Sequence, residues 1–450
     1  MIRAFSLLEV ADLLGVPRPA ENPSFEQVST DSRSLEKGAL YVALKGERFD
    51  GNDFVEQAFA SGASGALVSH LPSSHESASI VVPDTLTALG KLAAANRSES
   101  EAKLVAITGS SGKTTVKEMC GSIFRAVAPT LVTQGNLNNH IGVPLTLLGL
   151  ESHHQYGIIE LGASGLNEIA YIGGLTRPDV GIITNAGEAH LEGFGSYDNI
   201  VQGKGELIDE IKAGGTAVLN FDDPAFAAWR QRALSYDVIS VSLKPGAEAD
   251  YVVTAEGEDQ ALIEGPGQWS LRVPRRLAGD HNLLNMGMAV AAARALDLAD
   301  EAIVQGLGSL RAAKGRLNLE KISDQISVID DTYNANPSAM RAALQVLSKQ
   351  SGEQIAVLGA MGELGADQER FHQEVGEFAR SVGIQRLLAV GSGAAAIAKG
   401  FGDGAEVCSD QAAAVELLIT TVKAPAVILV KGSRSSAMEI VVEGLKKRIH

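Results

Sequence analysis

The sequence predicts an α/β protein of three domains: a small N-terminal α/β domain, a central mostly parallel sheet with helices on both faces, and a C-terminal Rossmann-like, doubly wound sheet. Three observations predict it. From about residue 103, short apolar runs alternate with helical patterns, as parallel strands joined by crossover helices do. From about residue 314 the alternation starts again. Between them, one apolar run leads directly into a glycine-rich turn and a helix: Ile107-Thr108-Gly109-Ser110-Ser111-Gly112-Lys113-Thr114-Thr115.

The elements follow in order. In residues 1–82, Ala39 to Leu44 reads as a buried strand, Phe54 to Ala60 as a helix and Gly65 to Val68 as a strand. Pro83 to Asn96 reads as a strand end and a connecting helix. The second domain, 83–313, has expected strands at Leu104–Ile107, Gly157–Leu161, Val180–Thr184, Ala217–Asn220 and Val238–Val241. Tyr251–Ile263 and Trp269–Val273 read as extra antiparallel strands, and His281 to Leu296 as an alanine-rich helix with Asp280 as its N-cap. The third domain, 314–450, has strands at Ile326–Asp330, Ile355–Leu358, Arg386–Val390 and Val427–Val430, each before a helical pattern.

Composition narrows the function. A net charge of −16 argues against non-specific nucleic-acid binding, which needs basic patches. Acidic substrates must then be met by local cations and metal. Cys120 and Cys408 lie far apart with no metal-ligand spacing and no disulfide framework, which suits a reducing compartment. Glu9 and Asp12 interrupt the apolar N-terminus, a poor signal peptide, and no apolar run approaches the ~20 residues of a membrane span. A cytoplasmic protein without membrane insertion is expected.

The glycine-rich turn carries the clearest chemistry. Glycines let backbone N–H groups turn onto phosphate oxygens, and the helix N-terminus adds positive potential. Lys113 is placed to neutralise the outer phosphates and Thr114 to hold Mg²⁺. The common phosphate-loop pattern has its first glycine where Ile107 stands, so the shorter form T-G-x-x-G-K-T-T applies.

Other strand ends add polar groups. Glu160 ends an apolar strand, as a Mg²⁺ ligand beside a phosphate loop would, or as a solvated strand-end carboxylate. His190, in Thr184 to Glu192, suits a metal ligand, a general acid or base, or a structural histidine. Lys204 reads, unaided, as a surface lysine on a helix. Asn282 either reads an adenine edge or caps a helix. In Asp330 to Ser338, Tyr333 suits base stacking and Asp331 ribose hydroxyls; the bland alternative is a helix start with Asn336 as cap and Pro337 first. Lys431-Gly432-Ser433-Arg434 puts two cations where a carboxylate could dock.

Together these segments resemble the Mur ligase family across essentially the whole chain. The runs Thr108 to Met119, Gly135 to Pro144, Glu160 to Ala163, Asn185 to Ser196, Lys204 to Glu206, Asp280 to Asn282, Asp330 to Met340 and Lys431 to Ser435 stand in the family's order. Asp331 to Met340, Leu191 to Ser196 and Thr30 to Arg33 with Lys45-Gly46 and Phe49-Asp50-Gly51 point to the branch that acts on UDP-MurNAc-tripeptide and D-alanyl-D-alanine. The resemblance implies ATP and Mg²⁺ as cofactors and an acyl-phosphate route to an amide; a monomer is the default expectation.

It also implies roles. Ser32, Arg33, Lys45, Gly46 and Asp50 would hold the UDP end. Gly109, Ser110, Ser111, Gly112, Lys113, Thr114 and Thr115 would hold the ATP phosphates, with Thr114 and Glu160 on one Mg²⁺ and His190 on a second. Lys204 resembles the family's carbamylated lysine, which would face the metal as an anion; Lys113, His190 and Lys204 form the catalytic set. His281 and Asn282 would meet adenine, Asp331 and Tyr333 ribose and base, and Arg316 the phosphates. Asn138, Asn139 and Asn336 would meet the peptide substrate, and Lys431, Ser433 and Arg434 the dipeptide. Ala360 departs from the polar residue the family often has there. The alternatives are a sister Mur ligase or folylpolyglutamate-synthase-like ligase adding one amino acid, or an ATP-binding protein without catalysis.

Overall fold

The computed structural model describes residues 1–311 and 314–449. The expected domain boundary at 313 and the last residue of the third domain, His450, lie outside the described residues.

Nine strands form the central sheet, in the order Ser270–Pro274, Gln260–Glu264, Tyr251–Glu256, Asp237–Ser242, Thr216–Asn220, Val180–Ile183, Lys103–Thr108, Tyr156–Glu160, Thr130–Val132. Pairing is parallel from Tyr251–Glu256 to Thr130–Val132 and antiparallel for the remaining two strands. The expected run Tyr251–Ile263 is therefore two strands. Its first half pairs parallel with Asp237–Ser242, because Val241 is in register with Tyr251. The turn at Gly257, with φ of +75°, reverses the chain into the antiparallel half. The edge strand Thr130–Val132 was not foreseen: at three residues it is too short to show a period.

Alternation along the strands explains the helices on both faces. Leu104, Ala106, Ile159, Ile183, Ala217 and Leu219 pack into one core, and Val105, Ile107, Ile158, Val180, Ile182 and Val218 into the other. Successive residues of a strand point to opposite faces, so strands buried on both sides read as continuous apolar runs. The helices Lys113–Arg125, Asp280–Ala295 and Asp300–Ser309 supply residues to the second core. Helix Thr85–Ser98 lies in the first, where Leu89 and Leu92 join Leu7, Val10 and Leu67 of the N-terminal unit to the sheet. The N-terminal and central units thus share a core, while the N-terminal four-stranded parallel sheet has a small second core on its other face.

The C-terminal sheet has six strands in the order Asn318–Lys321, Ile326–Asp331, Ala426–Lys431, Glu353–Gly359, Arg386–Val390, Ala405–Cys408, all parallel except the first pair. Its two faces carry separate cores. The end strands Asn318–Lys321 and Ala405–Cys408 were not read from the sequence, since both are short and only partly buried. One expected cap is corrected: Asp280 is the first helical residue, Gly279 precedes the helix, and the Asp280 carboxylate instead meets Lys349 at 3.2 Å. Asn336 does cap its helix, accepting from Ala339 N at 2.8 Å, with Pro337 first. Among the described residues no helix is long and apolar enough to cross a membrane.

Candidate active site

Strand Lys103–Thr108 has Val180–Ile183 on one side and Tyr156–Glu160 on the other, so chain connections leave it in both directions. Ligand crevices of open α/β sheets form over such a point. The loop Gly109–Gly112 sits there. Gly109 and Gly112 have φ of +143° and +80°, and a Cβ on Gly109 would lie 1.9 Å from Thr184 Oγ1. The loop is braced from the next strand end: Ser110 Oγ donates to Gly187 O at 2.9 Å and accepts from Gly187 N at 2.9 Å, and Ser111 N donates to Asn185 Oδ1 at 3.0 Å. Lys113 opens the helix and donates to Gly109 O at 2.6 Å. Burial lowers its pKa, against the attraction of Glu160.

Glu160 is buried, 2% exposed, which excludes the solvated reading. Its Oε1 accepts from Thr114 Oγ1 at 3.3 Å and Asn138 Nδ2 at 2.8 Å. Its buried Oε2 has no hydrogen-bond partner among the described residues and lies 3.8 Å from the buried Lys117 ammonium. Lys117 escaped sequence reading; it donates to Thr133 O at 3.1 Å, and Thr133 Oγ1 accepts from Glu160 N at 3.0 Å. Its position one helical turn after Thr114 was the available signal. Among the described residues no group of three or more His, Cys, Asp or Glu forms a cation cage. Mg²⁺ that arrives with phosphates needs only one or two carboxylates and keeps waters. An orphaned carboxylate oxygen beside a threonine hydroxyl fits it.

Strand Val180–Ile183 delivers Thr184 to His190. Thr184 Oγ1 donates to Ser111 O at 2.6 Å. His190 lies below its ordinary pKa chiefly through burial, with Lys113 and Lys204 adding to the effect and Glu363 opposing it. Lys204 is corrected from a surface lysine to a core one, 1% exposed. Helix Tyr197–Asp209 turns it inward, where Nζ donates to Ala163 O at 3.0 Å and lies 4.8 Å from the centre of the Phe194 ring. Burial first, then Lys113, brings its pKa down to about 7. As an amine already spent on Ala163 O it offers Mg²⁺ none of the oxygen ligands that ion prefers. Asp223, also missed, orders this loop by accepting from Ala186 N at 2.9 Å.

The C-terminal unit reaches the same place. Arg316 Nη2 donates to Thr114 Oγ1 at 3.2 Å, and its guanidinium lies 4.1 Å from the Tyr333 ring centre. Lys431 is corrected from an open cation to a buried one: Nζ donates to Asp331 Oδ2 at 2.6 Å and to Asn334 O at 2.8 Å. Arg434 is exposed and pairs with Glu439 at 2.9 Å. Ser433 N and Ser436 Oγ both donate to the carbonyl of Ala360, so at that position the backbone provides the polar contact. His281 is half-buried, and desolvation lowers its pKa. Asn282 Nδ2 donates to Ala278 O at 2.7 Å, and its Oδ1 accepts from Asn285 at 3.1 Å. His281 lines a cleft of about 880 Å³ between the Asp259–Asp280 segment and the C-terminal unit.

The N-terminal candidates form their own group. Arg33 pairs with Asp31 at 2.7 Å, Lys45 with Asp50 at 3.6 Å, and Ser32 O accepts from Ser61 Oγ at 3.1 Å. Tyr41 Oη donates to Gly51 O at 3.0 Å, and burial, then Asp31 and Asp50, pushes its phenol up to about 12. Gly46 N donates to Phe49 O at 3.0 Å. Asn139 Oδ1 accepts from Gly142 N at 2.9 Å at the start of a helix.

A glycine-rich loop between the central strand of a parallel sheet and a Lys-Thr helix, with a buried carboxylate alongside, defines a P-loop nucleotide-binding protein. Family models match in chain order: Mur ligase family, catalytic domain, over residues 24–97; Mur ligase middle domain over 107–293; and Mur ligase, glutamate ligase domain, over 315–434. The chain belongs to the Mur ligase family. It is 40% identical over 448 residues, 98% of each chain, to the UDP-N-acetylmuramoyl-tripeptide–D-alanyl-D-alanine ligase of Escherichia coli. It superposes on MurF from Acinetobacter baumannii with a TM-score of 0.91 at 38% identity over 99% of both chains. For Thermotoga maritima MurF in complex with ADP the TM-score is 0.85 at 29% identity, over 94% of this chain and 97% of that one.

Proposed function

We propose that this protein is an ATP-dependent ligase that joins D-alanyl-D-alanine to UDP-MurNAc-tripeptide in the cytoplasm, acting as a monomer, with Mg²⁺ and without nucleic acid or membrane insertion. The observation that carries the chemistry is the meeting of Lys113, Thr114, Glu160 and Arg316, from two units, around one loop. The relatives' printed activity carries the substrates. The units divide as 1–82 for the UDP end, 83–313 for ATP and 314–450 for nucleotide and dipeptide.

A carboxylate resists attack by an amine because its charge repels nucleophiles and oxide is a poor leaving group. The peptide's terminal carboxylate therefore takes the γ-phosphoryl group of ATP. The dipeptide amine attacks the resulting acyl phosphate, and the tetrahedral adduct collapses to amide and phosphate. Loop N–H groups, Lys113 and the Arg316 guanidinium hold the charge that builds on the transferring group. Thr114 and Glu160 would hold Mg²⁺, which supplies further charge neutralisation when bound. His190 would hold a second ion. Lys204 gains a ligand oxygen only as a carbamate, and lowering its pKa to about 7 raises the share of the neutral amine, the form that adds CO₂. His281 and Asn282 serve adenine, Asp331 and Tyr333 the nucleoside, and Asn138, Asn139, Asn336, Lys431, Ser433 and Arg434 the peptides.

The test is phosphate release from ATP with UDP-MurNAc-tripeptide, with and without D-alanyl-D-alanine, and the product weighed by mass spectrometry. Release that requires both, with a product heavier by one dipeptide residue, is expected. Turnover with a single amino acid and a shorter acceptor would move the chain to a sister ligase. Silence with every acceptor, bicarbonate included, would favour a non-catalytic ATP-binding protein.

A further inference from the structure

One histidine lies away from the phosphate loop and takes no part in the reaction described above. His372, in helix Gln368–Ser381, is fully buried in the C-terminal unit. Both of its ring nitrogens are used. Nε2 accepts from Met361 N at 2.8 Å, and Nδ1 lies 2.7 Å from the carbonyl of Gln368, one helical turn back. A backbone N–H can only donate, so Nε2 carries the lone pair and Nδ1 the proton of a neutral ring. Burial lowers the pKa of the ring, against the Gln368 carbonyl, and so favours that neutral form. On a third side Gly393, with φ of +79°, comes so close that a Cβ there would lie 2.9 Å from Cδ2 and Nε2.

The bond from Met361 reaches beyond one residue. Met361 N–H and Ala360 C=O belong to one planar peptide unit and point opposite ways across it. The N–H end meets His372. The C=O end accepts from Ser433 N at 2.8 Å and from Ser436 Oγ at 3.1 Å. Ser433 and Ser436 follow strand Ala426–Lys431, and the Ala360–Met361 unit follows its sheet neighbour, strand Glu353–Gly359. One line of hydrogen bonds therefore runs from Gln368 through the imidazole and a single peptide unit to the Ser433–Ser436 turn. Each bond polarises the next, so a fully satisfied buried line holds its members more firmly than separate contacts would. Ser433 is one of the residues assigned above to the dipeptide.

We infer that His372 is a positioning residue for the dipeptide end of the site: through the Ala360–Met361 peptide unit it holds the Ser433–Ser436 turn in the orientation that receives D-alanyl-D-alanine. It touches no substrate itself. The identity of the substrate rests on the ligase reading; the line of hydrogen bonds does not.

Amide exchange and kinetics on the full chain test it. In the parent, without nucleotide, the Met361 amide should exchange as slowly as the amides of strand Glu353–Gly359, although it lies in a loop. Fast exchange there would overturn the inference, and this criterion needs no variant to fold. His372→Gln keeps an acceptor within reach of Met361 N, whereas His372→Asn still reaches Gln368 O but stops short of Met361. In His372→Asn, exchange should rise within residues 360–364 and 432–436 and stay parental in the sheet. Its KM for D-alanyl-D-alanine should rise about 10-fold, the scale of one lost buried hydrogen bond, with kcat and KM for ATP at the parental values. His372→Gln should recover most of that loss. Exchange that rises throughout the C-terminal unit, or an equal rise in both KM values, would make His372 a plain core residue and overturn the inference. So would a His372→Gln variant no better than His372→Asn. Absence of dipeptide-dependent turnover in the parent would refute the ligase reading instead, and the exchange pattern alone would then decide the role of His372.

Discussion

Arg316 donates to the Thr114 hydroxyl at 3.2 Å, so a residue of the C-terminal unit touches the phosphate loop of the central one. Among the described residues its buried Nε–H has no hydrogen-bond partner, and its plane rests on Tyr333. A planar fork with a spare donor at a phosphate loop is built for bidentate contact with phosphate oxygens.

Arg316→Ala should therefore lower turnover roughly 100-fold, the scale for losing one donor to developing charge. Arg316→Lys should not recover it, because an ammonium on a flexible stem cannot stack or fork. Initial rates for both, with thermal melts to establish folding, check this. A lysine variant with parental turnover would mean that charge alone matters there.

The parallel strands of both large sheets were legible because burial on two faces makes them continuous apolar runs, such as Leu104 to Ile107 and Ile355 to Leu358. The edge strands carry three or four residues and half-exposed side chains, and leave no such trace. In the site, the loop was legible because glycines with positive φ are a local requirement. The burial of Lys204 was not, since a helix period does not say which face meets the core when glycines flank the residue. The pairing of Asp331 with Lys431 was equally hidden: it joins residues 100 positions apart through strand register.

Gly109→Ala should abolish nucleotide binding, whereas Gly112→Ala should weaken it. At Gly109 the new Cβ would meet Thr184 Oγ1 at 1.9 Å, and Thr184 is itself tied to Ser111 O. At Gly112 the nearest atom is Asn285 Oδ1 at 2.7 Å, the end of a side chain that can turn away. Both positions have positive φ, so each also carries backbone strain, on the order of 1 kcal/mol or more. Calorimetric titration with ADP separates them. Equal affinities would show that the Thr184 contact does not define the loop.

Lys204 ties stability to pH. The unfolded chain holds this proton up to about the ordinary 10.5, and the folded chain only to about 7, chiefly because burial disfavours the charge. Between those values the unfolded state binds more protons, so the residue's contribution to stability rises with pH across that window. Below it, a buried cation carries its full penalty. Lys204→Met keeps the apolar stem and removes the charge. In CO₂-free buffer it should raise the thermal midpoint most at and below pH 7, with the gain fading towards pH 10.5, while ligase activity is lost. Melts across that range test it; a gain independent of pH would contradict a buried, titrating amine.

Lys431 and Asp331 sit opposite each other on neighbouring parallel strands, both buried, with Nζ and Oδ2 2.6 Å apart. Asp331 also accepts from Leu317 N at 3.2 Å, and Lys431 donates to Asn334 O, so the pair anchors both segments that lead into the site. Removing one partner leaves an uncompensated charge in the interior. Lys431→Met should therefore destabilise the C-terminal unit by about 3–5 kcal/mol. The double variant Lys431→Met with Asp331→Asn should recover much of that, since it strands no charge. Urea unfolding of the parent, both single variants and the double variant closes the cycle. Costs that simply add would mean that the two groups are held by their backbone partners. A large coupling would explain why residues suited by type to meet a dipeptide carboxylate and a ribose are held first by each other.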